Sequence, residues 1–373
     1  MTTVKLGDVV QITSGFAFPS SGFSTEEGIP LVRIRDVTRG VSETRYAGPF
    51  DEDYVVNDGN LLVGMDGEFN AALWRGGRAL LNQRVCRLVP DPSRLDFGFL
   101  RHVLPRELKA IEDRTPFVTV KHLSVKDIRA IVLALPPLAE QRRIATILDK
   151  ADSLRCKRQE AIRLADEVLK AAFVDMFGAP SDVAPSLPTK PLGDVCRFYA
   201  GNSLPEGEPF AGQLDGVLHI KVGDMNLPGN ESVVSTSREW SANGAGGIVA
   251  PQGAILIPKR GGAIATNKKR LLGRACALDP NLMAISPGPD LRQELLFQWF
   301  KLFDLSTITS GSAVPQLNKG DLAPLRIVVP PLDQQDRFAA IAQRVTSIIN
   351  KQVTQLGDIE SACRALTDDL LVA

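Results

Sequence analysis

The sequence predicts an α+β fold built twice: two similar globular mixed α/β units alternate with two long helices whose apolar stripes face each other, related by a pseudo-two-fold internal repeat. Three observations predict it. Two stretches, Leu135 to Gly178 and Val329 onward, each open on Pro-Pro-Leu and then run for about 40 residues without proline. The residues before each stretch share short motifs in one common order, which is the mark of a repeat. A chain of 373 residues, 44% hydrophobic and 23% charged, can bury a core in each half.

The repeat is read from Leu6-Gly7-Asp8-Val9 against Leu192-Gly193-Asp194-Val195, with Gly15 opposite Gly201. Val32 to Val37 resembles Leu218 to Val222, which Gly223, Asp224 and Met225 follow; Gly59 to Val63 matches Gly253 to Ile257, and Gly67 falls opposite Gly261. Asp127 with Asp321 and Pro137 with Pro331 carry the register into the helices. In the first half, Leu6 to Phe18 reads as a short helix or turn followed by a loop. Ile29 to Ile34, Asn60 to Met65, Gln83 to Val89 and Ile131 to Leu135 read as strands, Asp66 to Asn70 as a turn and Phe97 to Glu112 as a helix. The second half repeats the plan with strands at Ile255 to Pro258, Leu282 to Ile285 and Leu325 to Val329 and a helix at Leu291 to Phe303. Gly178 to Thr189, rich in Pro and Ser, reads as a linker.

Pro136 and Pro137 suit a helix N-terminus, and Gly178 followed by Pro180 supplies its stop. Ile144, Leu148, Ala151, Ile162, Ala165, Leu169, Ala172 and Met176 recur at spacings of three and four, so one stripe meets a partner along the helix. In the second helix Phe338, Ile341, Val345, Ile348, Ile359, Ala362 and Leu366 carry the stripe. Polar residues interrupt both stripes midway, Arg155 and Arg158 in one and Gln352 and Gln355 in the other, as if paired. At 1.5 Å per residue such a helix is roughly 60 Å long, which suits an arm or a spacer.

Catalytic signatures are scarce. The five cysteines form no Cys-x-x-Cys pair and the three histidines, His102, His122 and His219, have no metal-like spacing, so no metal site is expected. Nucleophile elbows, phosphate-binding loops and dinucleotide fingerprints are absent. Asp91 with Glu107 and Lys109 half-matches a metal-dependent nuclease pattern, but Glu107 lies in a segment that reads as helix. No run of 18 apolar residues and no hydrophobic signal core is present, so no membrane association and a cytoplasmic location are expected. Net charge is zero, yet Lys259, Arg260, Lys268, Lys269, Arg270 and Arg274 cluster without an acid among glycines and Asn267. Glycine lets a backbone approach a phosphate closely.

The Pro-Pro-Leu-x-Glu-Gln-x-x-Ile opening at Pro136 to Ile144, the duplicated Leu-Gly-Asp-Val starts and Leu81-Asn82-Gln83-Arg84-Val85 together resemble the specificity subunit of type I restriction-modification systems. The resemblance runs from Lys5 to near the last residue and implies target recognition domains at 1–135 and 190–329, conserved spacer helices at 136–178 and 330–373 that pack antiparallel as a coiled coil, and a linker at 179–189. It implies a non-catalytic subunit that reads a bipartite, gapped, asymmetric site in double-stranded DNA and carries two methyltransferase subunits and, through them, restriction subunits. S-adenosylmethionine, Mg²⁺ and ATP would be cofactors of those partners, and this chain would hold none. On this reading DNA contacts come from Arg33, Arg35, Asp66, Glu68, Asn70 and Arg84 in the first half, and from Lys259, Arg260, Asn267, Lys268, Lys269 and Arg270 in the second. Leu138, Gln141, Arg142, Ile144, Leu148, Leu332, Gln335, Phe338 and Ile341 would face the partner subunits. The alternatives are a scaffold whose globules bind no DNA and, more remotely, a free-standing nuclease.

Overall fold

The computed structural model describes residues 2–115, 121–183, 187–242, 248–309 and 315–372. The chain forms two compact units, one of Met1–Arg158 with Thr354–Ala373 and one of Gln159–Val353. Both long helices exist, Leu138–Phe177 and Leu332–Val372, and each contributes one segment to each unit.

In unit 1, Thr2–Lys5 pairs antiparallel with Val132–Leu135, which ties the start of the chain to the strand that feeds the first long helix. A four-stranded sheet follows the order Val10–Ser14, Val85–Pro90, Leu61–Gly64, Asn70–Leu73. A second sheet of five short strands includes the parallel pair Ile29–Val32 and Ala79–Leu81. Unit 2 repeats the plan: Thr189–Pro191 pairs with Arg326–Val328, and Cys196–Ala200, Leu282–Pro287, Ile255–Pro258 and Arg270–Leu272 follow one another in a sheet. Val217–Ile220 runs parallel to Cys276–Leu278 as the counterpart of the first unit's parallel pair.

The sequence reading is corrected in three places. Val10–Ser14 is a strand rather than a loop, since Val10 and Ile12 alternate with polar residues and pair with Val85–Pro90. The strand from Ile29 ends at Val32, because Arg33 caps the helix Ile34–Arg39: the Asp36 carboxylate accepts from the Arg33 N–H at 2.9 Å. Lys221 and Asp224 make the same closure in unit 2, at 2.8 Å. The segment read as linker contains a small hairpin, Gly178–Ala179 with Asp182–Val183, and residues 184–186 of that reading lie outside the described residues.

The opening of each long helix is fixed by a buried glutamine. The Gln141 amide oxygen accepts from the Asp96 N–H at 2.8 Å, and its amide nitrogen donates to the carbonyls of Pro136 and Arg94. Gln335 does the same with the Arg292 N–H, Pro330 and Asp290. Each glutamine thus satisfies three backbone groups where a strand, a helix N-terminus and a long helix meet.

Within each unit one long helix lies antiparallel to the other, and the two junctions differ in chemistry. In unit 2, Phe173, Phe177 and Phe338 are fully buried, with ring centroids 5.4–5.6 Å apart in edge-to-face pairs. In unit 1, Ile144 and Leu148 are buried against Phe99, Leu100 and Val103, with Cys363 and Leu366 packed beside them. The edge of that junction is polar. His102 lies 2.7 Å from the Asp149 carboxylate, Arg101 donates to the same group, and Arg155 pairs with Asp152 at 3.2 Å. The midway polar residues do meet, Arg158 donating to the Gln355 amide oxygen.

Candidate nucleic-acid interface

Each unit builds a surface turn on one backbone frame. In unit 1 the strand Leu61–Gly64 runs into Met65 to Phe69. The Met65 N–H donates to the Arg84 carbonyl at 2.9 Å, Gly67 to Lys121 at 3.0 Å, and Leu123 back to Met65 at 2.7 Å. In unit 2 the corresponding bonds are Lys259 to Asn281 at 2.8 Å, Gly261 to Pro315 at 2.8 Å and Leu317 to Lys259 at 2.9 Å. Gly67 and Gly261 both have positive φ, 74° and 67°, which is why glycine stands at both turns. The bridge Asp66–His122 in one unit corresponds to Arg260–Gln316 in the other.

The side chains on this frame differ. In unit 1 Asp66 accepts from His122 Nδ1 at 2.6 Å and lies 3.6 Å from Arg84 Nε. Arg84 and His122 are more than half exposed while the carboxylate is largely covered. The Arg84 backbone has φ 69°, a left-handed conformation that a residue with a Cβ adopts at a cost. The result is an oriented set of donors around one acceptor, with Glu68 exposed beside it. Such sets complement base edges in the major groove. Ile34 packs over Gly64, which puts the exposed Arg33 and Arg35 alongside the strand that leads to the turn; Arg35 also lies 3.8 Å from Asp36. Asn70 does not join them. It is half-buried, its amide nitrogen donates to the Glu68 carbonyl at 3.1 Å, and its amide oxygen is buried without a donor among the described residues.

The basic run of unit 2 is mostly spent inside the protein, which corrects the expectation that all of it faces DNA. Lys269 is buried; its ammonium donates to the Asn267 amide oxygen at 2.5 Å and the Phe303 carbonyl at 2.6 Å, and burial pushes its pKa down to about 8. Asn267, with φ 51°, also accepts from the Leu305 N–H at 3.0 Å, so it caps a turn. Arg270 is half-buried, donates to the Lys269 carbonyl at 3.0 Å, and has its pKa lowered by burial. Arg274 binds the carbonyls of Gln213, Asp215 and Gly216. Lys268 is half-exposed and donates to Asn226. Lys259 and Arg260 remain at the surface of the turn.

The residues expected to face partner subunits divide in the same way. Gln141, Ile144, Leu148, Gln335 and Phe338 are buried within their own unit, so their side chains are taken up by the fold and that expectation is corrected for them. Ile341 is half-buried against the unit 2 core that holds Phe338. Arg142 and Leu332 are exposed and Leu138 partly so. Asp91, of the nuclease half-match, accepts from Ser93, and Lys109 pairs with Glu112 and Asp113 on the helix Phe97–Arg114. Among the described residues no three acidic, Cys or His side chains gather in a metal-like group, and no helix is long and apolar enough to cross a membrane.

Two participants escaped the sequence reading. His122 joins Asp66 from 56 positions away, and nothing local in the sequence signals that pairing. Phe16 sits beside Asn82 and Gln83 and is 46% exposed; the Gly-Phe step that places it was visible in the sequence, but its neighbours were not.

Two stretches, residues 1–164 and 189–356, match the family described as Type I restriction modification DNA specificity domain. The EcoBI specificity subunit of Escherichia coli is 44% identical over 162 residues, 42% of this chain; that alignment spans only 34% of the relative's length. The MjaVIII specificity subunit of Methanocaldococcus jannaschii is 21% identical over 99% of this chain and 91% of its own. Among solved structures, the type I restriction-modification S subunit from M. genitalium has a TM-score of 0.63 at 15% identity, with 99% and 95% of the two chains covered. A chain from a study of type I complex assembly and conformational transition has a TM-score of 0.52 at 21% identity, with 99% and 97% covered. These likenesses establish a shared fold.

Proposed function

Because the chain belongs to the family of type I restriction-modification DNA specificity domains, we propose that it is the DNA-reading subunit of such a complex, each unit reading one half of a bipartite, gapped, asymmetric duplex site. The observation that carries this reading is the duplicated turn: one backbone frame, two different sets of exposed polar side chains. A scaffold would need no such difference at corresponding, solvent-facing positions. In unit 1 Asp66, Arg84, Glu68 and His122 supply acceptors and donors for base edges. In unit 2 Arg260, Gln316 and Lys259 do so with a positive bias.

Phosphate contacts position such a reader without carrying sequence information. In unit 1 we assign them to a groove of about 480 Å³ lined by Arg39, Arg75, Arg101 and Arg155. Asp149 and Asp152 balance Arg101 and Arg155, while no carboxylate is paired with Arg39 or Arg75 among the described residues. Gly40 packs against Arg75, so these two arginines extend from adjacent backbone.

The exposed apolar and basic positions of the long helices, Arg142, Ile147, Leu154, Leu164, Val168 and Leu332 among them, with the partly exposed Leu138, would dock two methyltransferase subunits and, through these, restriction subunits. Methyl transfer from S-adenosylmethionine and cleavage with Mg²⁺ and ATP would then belong to the partners, and the chain itself would be non-catalytic and cytoplasmic. The test is affinity selection of the assembled methyltransferase complex on random duplexes. A single enriched motif with two defined halves and an undefined gap is expected; the absence of any enriched motif would overturn the reading.

A further inference from the structure

A second element is duplicated with the same backbone and a different side chain: the residue after Gly15 in unit 1 and after Gly201 in unit 2. Gly15 donates to the Val85 carbonyl at 2.9 Å and Gly201 to the Leu282 carbonyl at 3.1 Å. A side chain at either glycine would run into a backbone carbonyl, that of Asn82 or Asp279, so only glycine permits the approach. The next residue is pinned in turn: Phe16 donates to Leu81 at 2.9 Å and Asn202 to Leu278 at 3.0 Å. In unit 1 the Gln83 N–H also donates to the Phe16 carbonyl at 2.8 Å; its counterpart in unit 2, Pro280, has no N–H to offer.

This mount holds an exposed side chain next to the reading turn. Gln83 and Arg84 follow the strand that pins Phe16, and the Arg84 carbonyl closes the Asp66 turn. The Phe16 ring leans on Phe18 and Tyr54, with centroids 5.2 Å away in both pairs, yet stays 46% exposed. An aromatic that served only the core would be turned inward; the neighbouring Phe18 is, at 5% exposure. Asn202 is exposed. Where the fold dictates the backbone and the side chain faces water, the identity of the side chain is free to serve a ligand.

We propose that Phe16 and Asn202 are equivalent base-reading positions, Phe16 touching the 5-methyl group of a thymine and Asn202 bonding both the N6 amino group and N7 of an adenine. An apolar side chain is the partner that a thymine methyl selects, and asparagine's paired donor and acceptor fit adenine's edge. The inference rests on the DNA-reading function proposed above.

The test uses the assembled methyltransferase complex and its selected motif. Replacing the contacted thymine by deoxyuridine removes one methyl group and should weaken the wild-type complex about fourfold, on the order of one buried methyl. A complex carrying Phe16→Leu, which keeps an apolar side chain on Tyr54 and Phe18, should retain most of this sensitivity; one carrying Phe16→Ser should lose it and accept any base at that position. Asn202→Ala should relax one adenine position in the other half of the motif by about tenfold or more. If the wild type gives a gapped motif but no deoxyuridine substitution weakens it, or Phe16→Ser and Asn202→Ala leave the motif unchanged, this inference fails while the DNA-reading function stands. If the wild type gives no motif at all, both fail.

Discussion

The two reading turns and the two helix junctions compare in opposite ways. At the turns the backbone bonds correspond one for one while the side chains they carry diverge, Asp66 and His122 in one unit, Arg260 and Gln316 in the other. At the junctions the buried glutamines Gln141 and Gln335 make corresponding bonds, but the facing residues of the two long helices differ: an aromatic trio, Phe173, Phe177 and Phe338, in unit 2, and Ile144 and Leu148 with Cys363 and Leu366 in unit 1. A buried frame is constrained by unpaired backbone groups, which cost too much to leave unsatisfied, so duplication preserves it. Whatever the frame carries outward is released from that constraint and can differ by function.

The strongest challenge to this comparison is at the junctions. Phe338→Ala removes a fully buried ring from the Phe173 and Phe177 pair and should lower stability to urea by about 3–5 kcal/mol. Asp149→Asn, at the charged rim of unit 1, should cost less than about 1 kcal/mol, because its ion pairs are solvent-screened. Equal losses would erase the difference between the two junctions.

The shared frame predicts equality instead. Gln141→Leu and Gln335→Leu each strand one N–H and two carbonyls, so each should cost about 2–3 kcal/mol, measured by the same denaturation. A loss confined to one of them would show that the two helix openings are not equivalent.

A smaller effect separates structural from exposed basic residues. Lys269 has a folded-state pKa of about 8, below the usual value near 10.5 for an unfolded lysine. Between those values the unfolded chain binds more protons, so wild-type stability should rise with pH from about 8 to 10 relative to Lys269→Met, by on the order of 1 kcal/mol. Parallel pH profiles for the two proteins would contradict the burial of that ammonium. Smallest in energy, Arg39→Ala with Arg75→Ala should weaken DNA binding similarly on all sequences and reduce the salt slope by about 1–2, leaving the motif intact. An unchanged slope would remove the groove from the interface.

Much of the architecture was legible because it rests on strong local signals. The Pro-Pro-Leu openings, the glycine-free run to Gly178 and the common order of motifs located both helices and the repeat. Strand Val10–Ser14 was missed because its alternation is short and Gly15 follows at once, and Val32 was overrun because the Asp36 capping of Arg33 depends on a side chain three residues ahead. The site was far less legible. A run of lysines and arginines does not disclose that Lys269 and Arg270 turn inward, and a Gln in a helix-opening motif reads equally as a docking residue or as an internal knot. Asp66 with His122, and Phe16 with Gln83, meet only through long-range pairing, which no local pattern encodes.

The most direct measurement of the central claim is a map of methylated bases across genomic DNA, by single-molecule sequencing, for cells expressing this chain with a type I methyltransferase subunit. A second chain in which residues 190–329 are exchanged for those of a relative completes the comparison. Two units reading independently on a common frame predict one gapped motif, methylated in both halves, of which the exchange alters one half and leaves the other unchanged. A motif altered in both halves, or unaltered in either, would contradict it.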